Sequence, residues 1–314
     1  MKNPASFILL SVCAILFSMG LYAQSSLKEW ADGNVLKNAE FRPKPKFYKA
    51  DFINVDEDGH GKTPYFPALK IKKIAIICFA VQDDQQFKQS GNKYFRVTET
   101  RWTSDNAVKH ITETSFPMAV NALKAFGSQN NIEFVTLSEL IKSNPQLESV
   151  YNNYQLEASW LGNALLVNNI DGSIFTADGT RYINAASAYP DYKFGNSLGL
   201  MAKALGVDAV MVIQNEIFSS KEGIAFSKLS LHLLGPNPIP KKDKKYAGFN
   251  GAGYNEAMYY LGTEFISKDG AIVIKTDKKG KWEGEDFSGY ETLVSKNIQN
   301  IFDRMKEVTE QLTK

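Results

Sequence analysis

The sequence predicts an α/β sandwich of two or three layers: a mixed β-sheet with flanking helices and a long C-terminal helix. Three observations carry that reading. Ile74 to Val81 is an unbroken apolar run of strand length, the pattern of a strand covered on both faces. Leu198, Met201, Ala202 and Leu205 line one face of a helix, Gly206 ends it, and Val207 to Ile213 follows as a second continuous strand. Val294, Ile298, Ile301, Met305, Val308 and Leu312 recur at spacings of four and three, which defines a long amphipathic helix that packs on the sheet.

The elements in between follow in chain order. Lys2, the apolar stretch Phe7 to Leu21 and the small-residue exit at Ala23 read as a secretion signal cleaved before Gln24. Residues 24–66 read as an N-terminal extension, with a short helix over Leu27 to Phe41 and then Pro43, Pro45 and Pro64. Asn54, Asp56, Asp58 and Gly59 imitate the start of a calcium loop, but Tyr65 stands where the bidentate Glu belongs, so a polar turn is expected. The α/β domain spans 67–314, with an insertion at about 148–192.

Within that domain Ser115 is read as the cap of a helix carrying Pro117 in its first turn and ending at Gly127. Ile132 to Leu137 is the next strand. A helical stripe of Leu147, Val150, Tyr151, Tyr154, Ala158 and Leu161 follows Pro145, and Gly172 to Gly195 reads as a long excursion. Ile224 to Leu234, Tyr259 to Ile266 and Ala271 to Thr276 are strands, the last two joined by a turn at Lys268-Asp269-Gly270.

Composition narrows the function classes. A chain of 314 residues that is 44% hydrophobic buries a sizeable core without staples. Its net charge of +2 argues against nucleic acid as a partner. Once the leader is gone Cys78 is the single cysteine, so no internal disulfide forms, and its apolar strand predicts a small buried hydrophobe. His60, His110 and His232 lack the spacing of common zinc sites, and no metal or cofactor is predicted. The basic run Lys241, Lys242, Lys244 and Lys245 is the candidate interaction site, read otherwise as a solvated loop tip.

Catalytic motifs are sparse. Gly195-Asn196-Ser197-Leu198-Gly199 matches the G-x-S-x-G pattern, in which glycines permit the tight turn that exposes a serine. No strongly apolar strand precedes it, and the only later histidine, His232, lies in an alternating strand. A capping role for Ser197 or Asn196 explains the same residues. Gly248 to Gly253 lacks the Lys-Ser or Lys-Thr of a phosphate cradle. Glu283 and Glu285 beside Trp282 read as alternation on an exposed turn rather than as a glycosidase pair.

Several short segments resemble envelope proteins of the curli-secretion lipoprotein (CsgG), TolB amino-terminal and LpoB group. Lys72 to Phe79 looks like their opening strand, and Ala122-Leu123 through Val135 resembles the next helix and strand. Ala202 to Val212 resembles their segment of alanine, leucine, glycine and aspartate leading into a strand, and Phe265 to Ile274 a later hairpin. The insert from Glu148 to Tyr192 and the absence of a lipobox at Cys13 depart from the group. The resemblance implies a non-enzymatic cell-envelope module that works through an envelope protein partner, and cleavage of the secretion signal near Ala23 implies a periplasmic or extracellular location, with peripheral membrane association and oligomerisation open. Two alternatives stand beside it. One is a pore or secretion-channel subunit, with Lys228, Ser230 and His232 facing a lumen and Tyr259 and Tyr260 at an interface. The other is a serine hydrolase using Ser197.

Overall fold

The computed structural model describes residues 25–32, 39–42, 71–83, 86–91, 96–101, 103–158, 173–185, 192–236 and 257–313. The leader, the calcium-like turn, His60, Leu161, the lysines 241–245 and Gly248 to Gly253 lie outside them.

The fold is the expected α/β class with a mixed sheet. The strands are β1 (Ala39–Arg42), β2 (Lys73–Asp83), β3 (Gln86–Gly91), β4 (Arg96–Arg101), β5 (Glu133–Thr136), β6 (Ile174–Thr176), β7 (Ala209–Ser219), β8 (Gly223–Pro236), β9 (Ala257–Thr276) and β10 (Trp282–Glu285). The helices are α1 (Leu27–Asp32), α2 (Asp105–Asn130), α3 (Leu137–Ser143), α4 (Gln146–Asn153), α5 (Tyr192–Ala204) and α6 (Tyr290–Thr313). The main sheet runs β1-β9-β8-β7-β2-β5, with β10 also on β9 and β6 also on β2; β3 and β4 pair only with each other. β2 is parallel to β5 and β7, and the β7-β8-β9-β1 side is antiparallel.

The core lies on both faces of β2, β7 and β8. Ile74 to Val81 are all buried, which is why the sequence shows a continuous apolar run and no alternation. On one face Phe79 meets Phe116 of α2 edge-on at 5.3 Å, and Phe226 meets Tyr290 of α6 at 5.6 Å. On the other, Tyr151 of α4 donates to the Ile77 carbonyl at 2.8 Å, and α5 packs on β8 and β9 through Leu198, Met201 and Ala202.

Several boundaries differ from the sequence reading. α2 starts ten residues before Ser115, because Ser104 accepts from Ala107 N as its cap; the helix ends at Asn131, which adopts φ 60°. Ser115 and Pro117 are therefore interior. Ser115 Oγ bonds back to the Ile111 carbonyl at 2.6 Å, one turn before. Gly127 does not stop the helix. A Cβ there would lie 2.3 Å from the Ile132 carbonyl oxygen, so glycine lets β5 turn back closely against the helix. The predicted second strand is cut short at Thr136, which caps α3 in a reciprocal capping box with Glu139.

The helical stripe after Pro145 ends at Asn153, since Tyr154 is extended. The excursion from 172 holds β6 and gives way to α5 by Tyr192. At the C-terminal end, Lys268-Asp269-Gly270 is no hairpin turn. β9 runs through it as one strand with a register jump from Lys228↔Ile266 to Phe226↔Ala271. Gly270 has φ +68°, and a Cβ there would meet Phe218, Ala225 and the Phe226 carbonyl at 2.7–2.8 Å.

The extension is in part structural. The helix predicted over Leu27 to Phe41 stops at Asp32, and Ala39–Arg42 is an edge strand on β9. Ser25 bridges Ala271, its carbonyl accepts Ile272 N at 3.1 Å, and the buried Trp30 stacks on Phe265 at 5.1 Å.

Candidate functional site

In open α/β sheets, ligands settle where neighbouring parallel strands send the chain to opposite sides. Here that point is the carboxyl end of β2 and β7, since β2 leads to β5 on one side while β7 lies on the other. The start of α2 also opens there, which would suit an anion. The structure fills the position from within. The buried Asp83 carboxylate accepts from Thr103 N at 2.8 Å and from Thr103 Oγ1 at 2.9 Å. Ser173 Oγ donates to the Asp105 carboxylate beside it. Burial raises the Asp83 pKa, against the pull of the Thr103 bonds, and the Asp105 charge adds to the rise. Two acids at a helix start disfavour a phosphate.

A second polar group lies on the α5 face of the sheet. Gln82 and Glu216 are cross-strand neighbours, as are Glu216 and Lys228. Tyr182 donates to Gln82 Oε1 at 3.1 Å and accepts from Gln214 Nε2 at 3.3 Å; Lys228 Nζ donates to Glu216 Oε1 at 2.9 Å. Burial, with the neighbouring Cys78 thiol and the Glu216 charge adding to it, pushes the Tyr182 phenol up to about 12, so it stays protonated at neutral pH.

Deeper on that face sit Cys78, Tyr151 and Arg181. Burial pushes the Cys78 thiol up to about 12, which removes thiolate reactivity. The Arg181 guanidinium stands 5.3 Å over the Tyr151 ring, and its Nη1 donates to the Tyr154 carbonyl at 2.8 Å. Tyr151 Oη receives the Arg181 main-chain N–H at 2.9 Å. The sequence pointed to Tyr151 only as part of an apolar stripe and did not flag Arg181.

Ser197 lies inside α5 and does not begin it, so it neither caps the helix nor forms a strand-to-helix elbow. Its hydroxyl donates to the Gln155 carbonyl at 3.2 Å and accepts from Glu157 N at 3.0 Å, while Tyr154 Oη donates to the Ser197 carbonyl at 2.7 Å. The residue fastens the irregular stretch 154–158 to the helix. His232 is wholly buried, and burial with the nearby Lys228 charge lowers its pKa to about 3, so its ring is neutral. His110 instead meets Glu285 at 2.6 Å and the edge of Trp282 at 4.9 Å, an exposed trio that joins α2 to β10. Glu283 lies on the same short edge strand rather than in a turn.

β8 is central in the sheet, and Ser230 and His232 are both buried within it. Its far end pairs Pro236 with Ala257, so the chain carrying Lys241, Lys242, Lys244 and Lys245 leaves from and returns to one place. That is the end where the parallel strands begin. There the Asp208 carboxylate accepts from Lys72 N at 2.8 Å and Lys73 N at 2.9 Å. Lys72 and Lys203 are exposed at the same end.

Among the described residues no three His, Cys, Asp or Glu side chains stand close enough to hold a metal ion, and no helix is long and apolar enough to cross a membrane. The fold and these groups define a mixed-sheet α/β protein. No family model matches the chain, and no curated protein or solved structure shows significant similarity to it.

Proposed function

We propose that the protein is an exported cell-envelope module that binds or assembles with a protein partner through the lysine-bearing segment between β8 and β9. The pairing of Pro236 with Ala257 is the observation that carries this reading. It tethers Lys241, Lys242, Lys244 and Lys245 to the sheet end that already exposes Lys72 and Lys203. Lysines gathered at one end of the sheet steer an acidic partner face. Export is supported by the sequence itself, in which Lys2, the apolar stretch Phe7 to Leu21 and the small-residue exit at Ala23 read as a secretion signal. The non-catalytic reading is supported by what the reactive side chains already do: Ser197 fastens main chain, Cys78 is a buried thiol and His232 a buried neutral ring.

Cell fractionation with a carbonate wash of membranes, and native mass measured in parallel, tests the reading. Wash-sensitive protein in the exported fraction, shifting to a discrete heteromeric mass with its partner, is expected. Carbonate-resistant protein in a large homo-oligomer would favour a channel subunit instead.

A further inference from the structure

We infer that Arg181 is a carboxylate-binding residue kept under a strap formed by Tyr154 to Ala158. A buried guanidinium ordinarily has all its donors engaged, because an unmet charged donor in the interior is costly. Arg181 departs from this. Nη1 is bonded to Tyr154 O, yet Nε and Nη2 are shielded from solvent and find no hydrogen-bond partner among the described residues. Those two nitrogens form the side-on fork of the guanidinium, whose parallel N–H groups match the two oxygens of one carboxylate. The Tyr151 ring below, and the Nη1 bond to the strap, fix the plane of the fork before anything arrives.

The strap bears on the guanidinium through the bond from Nη1 to the Tyr154 carbonyl, which couples its position to the fork. Residues 154–158 have no regular structure and are fastened to α5 at Ser197, by its hydroxyl to Gln155 O and Glu157 N and by its carbonyl to Tyr154 Oη. Tyr154 therefore joins the two parts: its carbonyl holds Arg181 and its hydroxyl holds the strap down. Loosening the Ser197 clasp raises the fraction of molecules with an open fork, and apparent affinity rises with that fraction. The proposal goes beyond the partner reading above, uses none of its lysines, and stands or falls separately from it.

Titration of the folded protein with acetate and succinate at fixed ionic strength, followed by thermal shift and calorimetry, tests it, with chloride and phosphate as controls. A saturable response to the carboxylates alone is expected, weakened roughly tenfold or more in Arg181→Lys, which keeps the charge but loses the fork. Ser197→Ala, with Tyr154→Phe as the second variant, should tighten binding severalfold. A short Asp-rich peptide run beside the small acids separates a protein-borne carboxylate from a free metabolite. No saturable response in the wild type and both clasp variants, an equal response to chloride, or an unchanged response in Arg181→Lys would each overturn the inference.

Discussion

The Tyr290 hydroxyl donates a 2.8 Å hydrogen bond to Asn215 Oδ1, and Asn215 Nδ2 in turn donates to the Ala80 carbonyl at 3.1 Å. This buried relay ties the first turn of α6 to β7 and then to β2. Tyr290→Phe keeps the ring against Phe226 but leaves the Asn215 oxygen without that donor. A loss of about 1–3 kcal/mol is expected in urea unfolding, with an unchanged slope.

Asp208 connects two strand entrances by accepting from Lys72 N and Lys73 N. It is an exposed carboxylate, so its contribution is modest. Asp208→Ala should cost about 1 kcal/mol in the same assay, and faster amide exchange at Lys72 and Lys73 should identify where the loss falls.

Gly270 answers two demands at once, a left-handed φ and a space with no room for a methyl group. Gly270→Ala should destabilise by about 2–4 kcal/mol or yield insoluble protein, whereas Gly280→Ala, with nothing within 4 Å of the added carbon, carries only the conformational part of about 1 kcal/mol. Equal midpoints for the two variants would contradict the crowded bulge.

These cases show what the sequence carried and what it did not. The β2 and β7 runs, the α5 face and the α6 stripe were legible, because burial on both faces or on one helix stripe leaves a periodic signal in residue type. The α2 boundaries were misread because Ser115, Pro117 and Gly127 resemble punctuation, while the working cap, Ser104, precedes a polar first turn. The capping box of Thr136 and Glu139 was a readable sign of α3 that the apolar run before it masked. The Arg181 and Ser197 contacts were not legible at all. Each joins residues about 27 to 43 positions apart through main-chain acceptors, which have no residue signature.

His232 sets a pH dependence whose sign follows from its lowered pKa of about 3 against 6.5 in the unfolded chain. Between those values the unfolded chain binds the extra proton, so stability rises with pH and is lost as pH falls from about 6.5 toward 3, by up to ~1.4 kcal/mol per pH unit. Asp83, with its pKa raised, acts in the opposite sense just above the normal carboxylate range. His232→Gln should flatten the slope between pH 4.5 and 6 by about one proton in urea melts taken at a series of pH values.

Cys78 should resist alkylation. With its pKa at about 12 and no exposed surface, iodoacetamide at pH 8 should leave the native thiol unmodified and label it rapidly in denaturant, as read by mass spectrometry of its peptide.

The central claim is that the segment held between Pro236 and Ala257 meets an acidic partner. A photo-crosslinking residue placed at Lys242 in cells, compared with one at the exposed Lys109 on α2, tests it most directly. The account predicts a discrete heteromeric adduct from position 242 alone, abolished when Lys241, Lys244 and Lys245 are changed to Glu. Equal adducts from both positions, or an adduct indifferent to the charge reversal, would contradict it.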